Sequence, residues 1–224
     1  GVVTGANADD TTVRVLQTIY LAASGNLTMT ADAATPNADM FTLGQTGVEL
    51  ARFRFQADAA EANTVSQVIT TFQHRELGGD VSTNSITGTW RSLKVYEAES
   101  GALLGTAATL ATANNTVHPY ATFAGLSWTI PKNGAKTLVV KADLSPFDDG
   151  GVPSSTWRVE LRENYTSNSA SAQADEAVAA RGAGSGSDIT GSTLDIGAGT
   201  DVDVRGSVMD VFKSKLTVAH ASDS

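Results

Sequence analysis

The chain has no cysteine. That removes disulfides, thiolate metal sites and thiol nucleophiles together, so stability outside a cell would rest on core burial, bound ions or assembly. It has no run of about 18 apolar residues, and no segment reads as a membrane-spanning helix. Cationic side chains are few: 15 Lys and Arg stand against 24 Asp and Glu, for a net charge of -9. A surface of that sign repels nucleic acid and anionic lipid, and neither is expected as a partner. The three histidines, His74, His118 and His220, are isolated in sequence and sit in no metal-binding frame. No nucleophile elbow, phosphate loop or zinc spacing occurs. The chain opens on Gly1 without a charged or apolar leader, and is expected to be a processed product or a window on a longer polypeptide. With no chemical constellation to argue from, the chain is expected to be non-enzymatic and to need no cofactor.

What is present is a period of two. With 41% hydrophobic residues over 224 positions, the chain is long and apolar enough to bury a core. In residues 51–57, Ala51, Phe53, Phe55 and Ala57 alternate with Arg52, Arg54 and Gln56, the pattern of a half-buried strand. Similar alternation marks 13–19, 65–72, 92–96, 126–130, 138–142 and 157–161. Turn signals lie between them at 76–80, 99–101, 131–134 and 148–151. Short strands at this spacing predict an all-β, antiparallel sandwich with extended terminal strands. Residues 170–181 are expected to hold a few helical turns, and the Gly-Ala-Gly-Ser-Gly-Ser stretch at 182–187 a flexible loop.

The two ends resemble each other. At a constant offset of 189, residues 11–35 fall on residues 200–224, with Thr11 on Thr200, Val13 on Val202, Val15 on Val204, Leu27 on Leu216 and Thr28 on Thr217. Either the chain holds one repeat and the opening strands of the next, or two strands of one sandwich look alike. The first reading divides it into a junction strand at 1–25, a sandwich at 26–199 and an assembly strand at 200–224. Val202, Val204, Val208, Val211, Leu216 and Val218 would then pair with a neighbouring copy, head to tail.

Five segments carry a further likeness: Leu27 to Pro36, Gly47 to Phe55, Leu93 to Glu97, Leu126 to Gly134 and Lys136 to Leu144. They resemble the repeat of large S-layer-like, cell-surface proteins of uncultivated bacteria. The motifs are strands and turns, so the resemblance implies an Ig-like, extracellular, non-enzymatic unit and is nearly silent on chemistry.

Two groups of residues invite a functional reading. Asp148, Asp149, Asp201 and Asp203 could offer the hard oxygen ligands that calcium takes, although none sits in a calcium-loop frame and solvated turn acids are the ordinary reading. Trp90, Trp128 and Trp157 could form a sugar-stacking platform, but each lies in a strand-like run, and core packing alongside Phe53 and Phe55 accounts for them. The expected function is therefore a structural subunit of an extracellular filament, pilus-like fibre or surface layer. A carbohydrate-binding or adhesin module is the alternative.

Overall fold

The computed structural model describes residues 25–76, 88–111, 118–162, 177–190, 194–196 and 203–214. Among them the fold is all β: fourteen strands and one 3-10 turn, Phe147–Asp149. The first sheet holds, edge to edge, Leu194–Ile196 (β12), Leu27–Ala31 (β1), Val48–Ala57 (β3), Ala135–Leu144 (β8), Trp90–Glu97 (β5) and Leu103–Thr109 (β6). The second runs Asp188–Ile189 (β11), Val178–Gly182 (β10), Asn63–Glu76 (β4), Ser155–Leu161 (β9), Met209–Phe212 (β14) and Asp39–Thr42 (β2). Tyr120–Ile130 (β7) also pairs with β4, and Val204–Arg205 (β13) with β9.

The period of two sets these faces. In β3, Ala51, Phe53 and Phe55 are fully buried while Arg52 and Arg54 point away from the core. A slip of one residue would bury both guanidinium groups and expose both rings, which fixes the register. Rings from the two sheets meet in one core. Phe55 of the first sheet packs edge-on against Trp128 of the second at 4.9 Å, and Trp90 meets Trp157 at 6.0 Å and 88°. Phe53, Phe55, Trp90, Trp128 and Trp157 all lie in this core. In β7 the alternation shifts at Gly125, whose φ of 71° admits the irregularity opposite Val65 and Gln67 at little steric cost.

Three expectations are corrected here. The sheets are mixed and not wholly antiparallel: β1 lies parallel to β12, and β14 parallel to β2. The stretch expected to be helical ends in strand β10, with residues 170–176 outside the described ones. The boundary at 200 does not hold either. Val204 pairs with Leu161, and Met209, Asp210 and Val211 pair with Trp157, Thr156 and Ser155, so this segment completes the chain's own second sheet. Its inward residues alternate with outward ones as β9 does, which makes the core of this body their burial site. Strand 13–19 and most of the matching ends, 1–24 and 215–224, lie outside the described residues.

The described strands run between two poles, called incoming and outgoing for the start of β1 and the end of β14 that lie there. At the incoming pole, Gly25 and Asn26 lie beside Asp58, Asn63 and the turn at 131–134. At the outgoing pole, Phe212 accepts a hydrogen bond from the Leu43 N–H at 3.0 Å, and Leu144 donates to Gln45 at 2.8 Å. The ten-residue strands β3 and β8 run between the poles, a span of about 30 Å.

Candidate functional site

At the incoming pole the loop Asp58 to Ala62 joins the two sheets and carries Glu61, which is 7% exposed. The Glu61 carboxylate accepts the Ser185 hydroxyl at 2.6 Å, the N–H groups of Gly184 and Ser185 at 2.8 Å each, and the Gly25 N–H at 3.3 Å. These donors, the Ser185 hydroxyl foremost, hold its carboxyl down to about 2. Glycine is what lets the backbone come so near. A methyl at Gly182 would land on Glu61 Oε1, and one at Gly25 would stand 2.9 Å from Asn63 Oδ1. The stretch 182–187, expected to be a flexible loop, is instead a tight turn: Gly182 donates to Ser187 and accepts from Gly186, both at 2.9 Å, around the carboxylate. Chemically, Glu61 is saturated with donors and acts as a clasp, not as a base.

A second cluster lies on the outer face of the second sheet. In β9, Trp157, Val159 and Leu161 face the core, which turns Arg158 and Glu160 the other way. Glu160 is nevertheless only 1% exposed. Arg158 Nε donates to it at 2.8 Å, and Arg205 Nε lies at 3.3 Å. Asp203 bridges Arg162 and Arg205 at 3.4 Å to each, and Arg158 also donates to Gln73. Burial raises the Glu160 carboxyl against the pull of these arginines, and burial together with Arg162 lowers the nearby His118 imidazole.

The structure does not gather the residues singled out from sequence. Asp148 and Asp149 sit in the 3-10 turn at the outgoing pole, where Asp149 pairs with Arg91 at 2.5 Å. Asp203 belongs to the outer-face network, and Asp201 lies outside the described residues. Among the described residues no three His, Cys, Asp or Glu side chains come together to hold a metal ion. Of the expected assembly strand, Val204 is 4% exposed and Val211 fully buried in the chain's own core, so neither is free to pair with a neighbour. Val208 is 40% exposed, and Val202, Leu216 and Val218 lie outside the described residues. Trp90, Trp128 and Trp157 are 0%, 2% and 1% exposed and present no ring face to a sugar. No described helix is long and apolar enough to cross a membrane.

Glu61 and Glu160 were missed in the sequence. Glu61 stands alone between Ala60 and Ala62, with no pattern to mark it. The alternation Arg158, Glu160, Arg162 was a visible signal for the outer-face network.

No family model matches the chain, and neither does any curated protein. Among solved structures, it is similar to a family 123 glycoside hydrolase from Clostridium perfringens, studied for the details of glycolipid glycan hydrolysis. The identity is 10% and the TM-score 0.30, over 85% of this chain and 28% of that one. That likeness is to an enzyme. The expectation of a non-enzymatic unit is withdrawn on this finding. A TM-score of 0.30 carries no argument about a shared reaction.

Proposed function

We propose that the chain is a structural unit placed in series with copies of itself, head to tail, in an extracellular filament or surface layer. The observation that supports this most directly is the placing of the first and last described strands: β1 starts at one pole, beside Asp58, and β14 ends at the opposite one, beside Leu43. A unit of that kind adds its own length to an array with each repeat, whereas one whose ends lie together adds a branch. The sequence offset supports the same reading. The offset of 189 carries Leu27, which opens β1, onto Leu216, just past the end of β14 at Phe212, so the strands β1 to β14 fit within one period of the terminal match. The unit boundary therefore belongs near 214, past the closing strand β14, and the contact between units is made at the poles.

The test is a chain in which residues 25–213 are duplicated in place. Small-angle scattering should show its maximum dimension longer by about one unit, roughly 30 Å or more, with two lobes in line by electron microscopy. Two lobes folded side by side would overturn the proposal.

A further inference from the structure

We infer that the unit is built to bear tension between its poles, with its first and last described strands, β1 and β14, loaded along their own axes and Glu61 clasping the start of β1. The serial arrangement proposed above supplies the reason for tension to arrive at the poles, and the inference rests on that reading for its purpose. The geometry stands without it.

A strand drawn lengthwise past its neighbours loads all the hydrogen bonds of its ladders together. A strand lifted sideways from a sheet edge loads them one after another. A strand at a sheet edge is open to sideways peeling. Neither β1 nor β14 is an edge strand: β1 is flanked by β12 and β3, and β14 by β9 and β2. The strand β1 runs inward from the incoming pole, registered with β3 from Leu27 opposite Ala57 to Ala31 opposite Phe53, and with β12 from Leu27 to Met29. The strand β14 runs toward the outgoing pole, registered with β2 from Met209 to Phe212 and with β9 from Met209 to Val211. Tension between Gly25 and Ser214 therefore pulls both strands lengthwise, in opposite directions. Because they belong to different sheets, the load crosses the shared core where Phe55 meets Trp128 and Trp90 meets Trp157.

The clasp lies at the start of β1. The Gly25 N–H is held by Glu61, the Asn26 N–H by Asp58 at 3.0 Å, and the Asn26 carbonyl by Asn63 Nδ2 at 2.9 Å and the Asp58 N–H at 3.1 Å. Since Glu61 also grips the turn between β10 and β11, the incoming chain is tied to both sheets before β1 begins.

The absence of cysteine makes the test direct, because introduced pairs are unique handles. Chains of all 224 residues carrying Asn26→Cys with Ser214→Cys, or Thr106→Cys with Met40→Cys, would be pulled singly by force spectroscopy. The first pair loads β1 and β14 lengthwise, and the second loads the exposed outer strands β6 and β2 across the sheets. The lengthwise pair should rupture at a force several-fold higher, and an equal or lower force overturns the inference. Adding Glu61→Gln should lower the lengthwise force and leave the transverse one unchanged. Ser185→Ala, which removes one donor on the surface, serves if that variant does not fold. A lengthwise force that neither variant moves removes the clasp. In-line lobes with a weak lengthwise force would leave the serial proposal standing and sink this one, and folded-back lobes with a strong force would do the reverse.

Discussion

Two carboxylates, one at the incoming pole and one on the outer face of the second sheet, are both buried and behave oppositely. Glu61 is surrounded by N–H and O–H donors and has no cation partner among the described residues, yet its carboxyl is held down to about 2. Glu160 has two arginines on its carboxylate and two more charged side chains just beyond, yet its carboxyl is raised. The difference lies in how each lone pair is used. Backbone donors in a closed turn are already fixed in place and meet the carboxylate directly, so the charge is solvated by the protein as water would solvate it. The arginines around Glu160 are shared with Asp203 and Gln73, and they offset only part of the loss of water at a 1%-exposed site.

A third carboxylate with neither device would extend the comparison to its limit. Phe53→Asp puts one at a fully buried position lined by the core, losing a ring and adding an unsolvated charge. The expected loss is about 5 kcal/mol or more, read from denaturant melts. A variant that melts like the wild type would show that β3 does not hold its register.

The next largest effect concerns the clasp itself. Because the folded Glu61 carboxyl lies below its ordinary value, its stabilisation is complete above about 4.5 and is lost as pH falls toward about 2. Glu160 has the opposite sign: its contribution is present below the ordinary carboxylate range and is lost as pH rises through its raised value. Thermal melts from neutral pH to pH 2 should thus fall steeply in the acid limb, and Glu61→Gln should start lower and flatten that limb. An unchanged acid limb in the variant would mean that the turn does not depend on the charge.

Gly182→Ala asks the same question through shape. Its methyl would meet both Glu61 Oε1 and Ser185 Oγ, and a cost of about 1–3 kcal/mol is expected from the displaced carboxylate. At Gly184 the nearest atom is Glu61 Oε2 at 3.2 Å, so Gly184→Ala should cost less. Equal costs at the two positions would show that the carboxylate does not fill the turn.

The local part of this fold was legible in sequence. Alternation in 51–57 placed Ala51, Phe53 and Phe55 inside, and the strand patterns at 65–72, 92–96, 126–130, 138–142 and 157–161 each fall within an observed strand. What alternation cannot carry is partnership at long range. Leu27 lies beside Leu194, and Val211 beside Phe41, each in a parallel pair, and no pattern within either segment names the other. The glycines of 182–187 imply freedom by composition, which cannot show that Glu61, more than a hundred residues earlier, fills the space they leave. The alternation of Arg158, Glu160 and Arg162 was plain, but a polar outward face is ordinarily wet, and the burial of Glu160 is a tertiary fact.

The smallest expected effect is at Glu160, and it separates the two regions most sharply. Glu160→Gln keeps the shape of the side chain and an oxygen to accept from Arg158, which also retains Gln73. Arg205 is half exposed and retains Asp203, so no cation is left dry and alone. What is removed is a charge that burial already disfavours. The stability change at neutral pH should therefore stay within about 1.5 kcal/mol, the net worth of one hydrogen bond, well below the loss expected from an unpartnered buried ion, about 3–5 kcal/mol. Melts of the variant should also lose the Glu160 part of the pH dependence while the acid limb set by Glu61 remains. A loss at neutral pH as large as the unpartnered case would mean that the arginines depend on Glu160 more than it depends on them, and the contrast between a donor-filled turn and a shared ion network would fail.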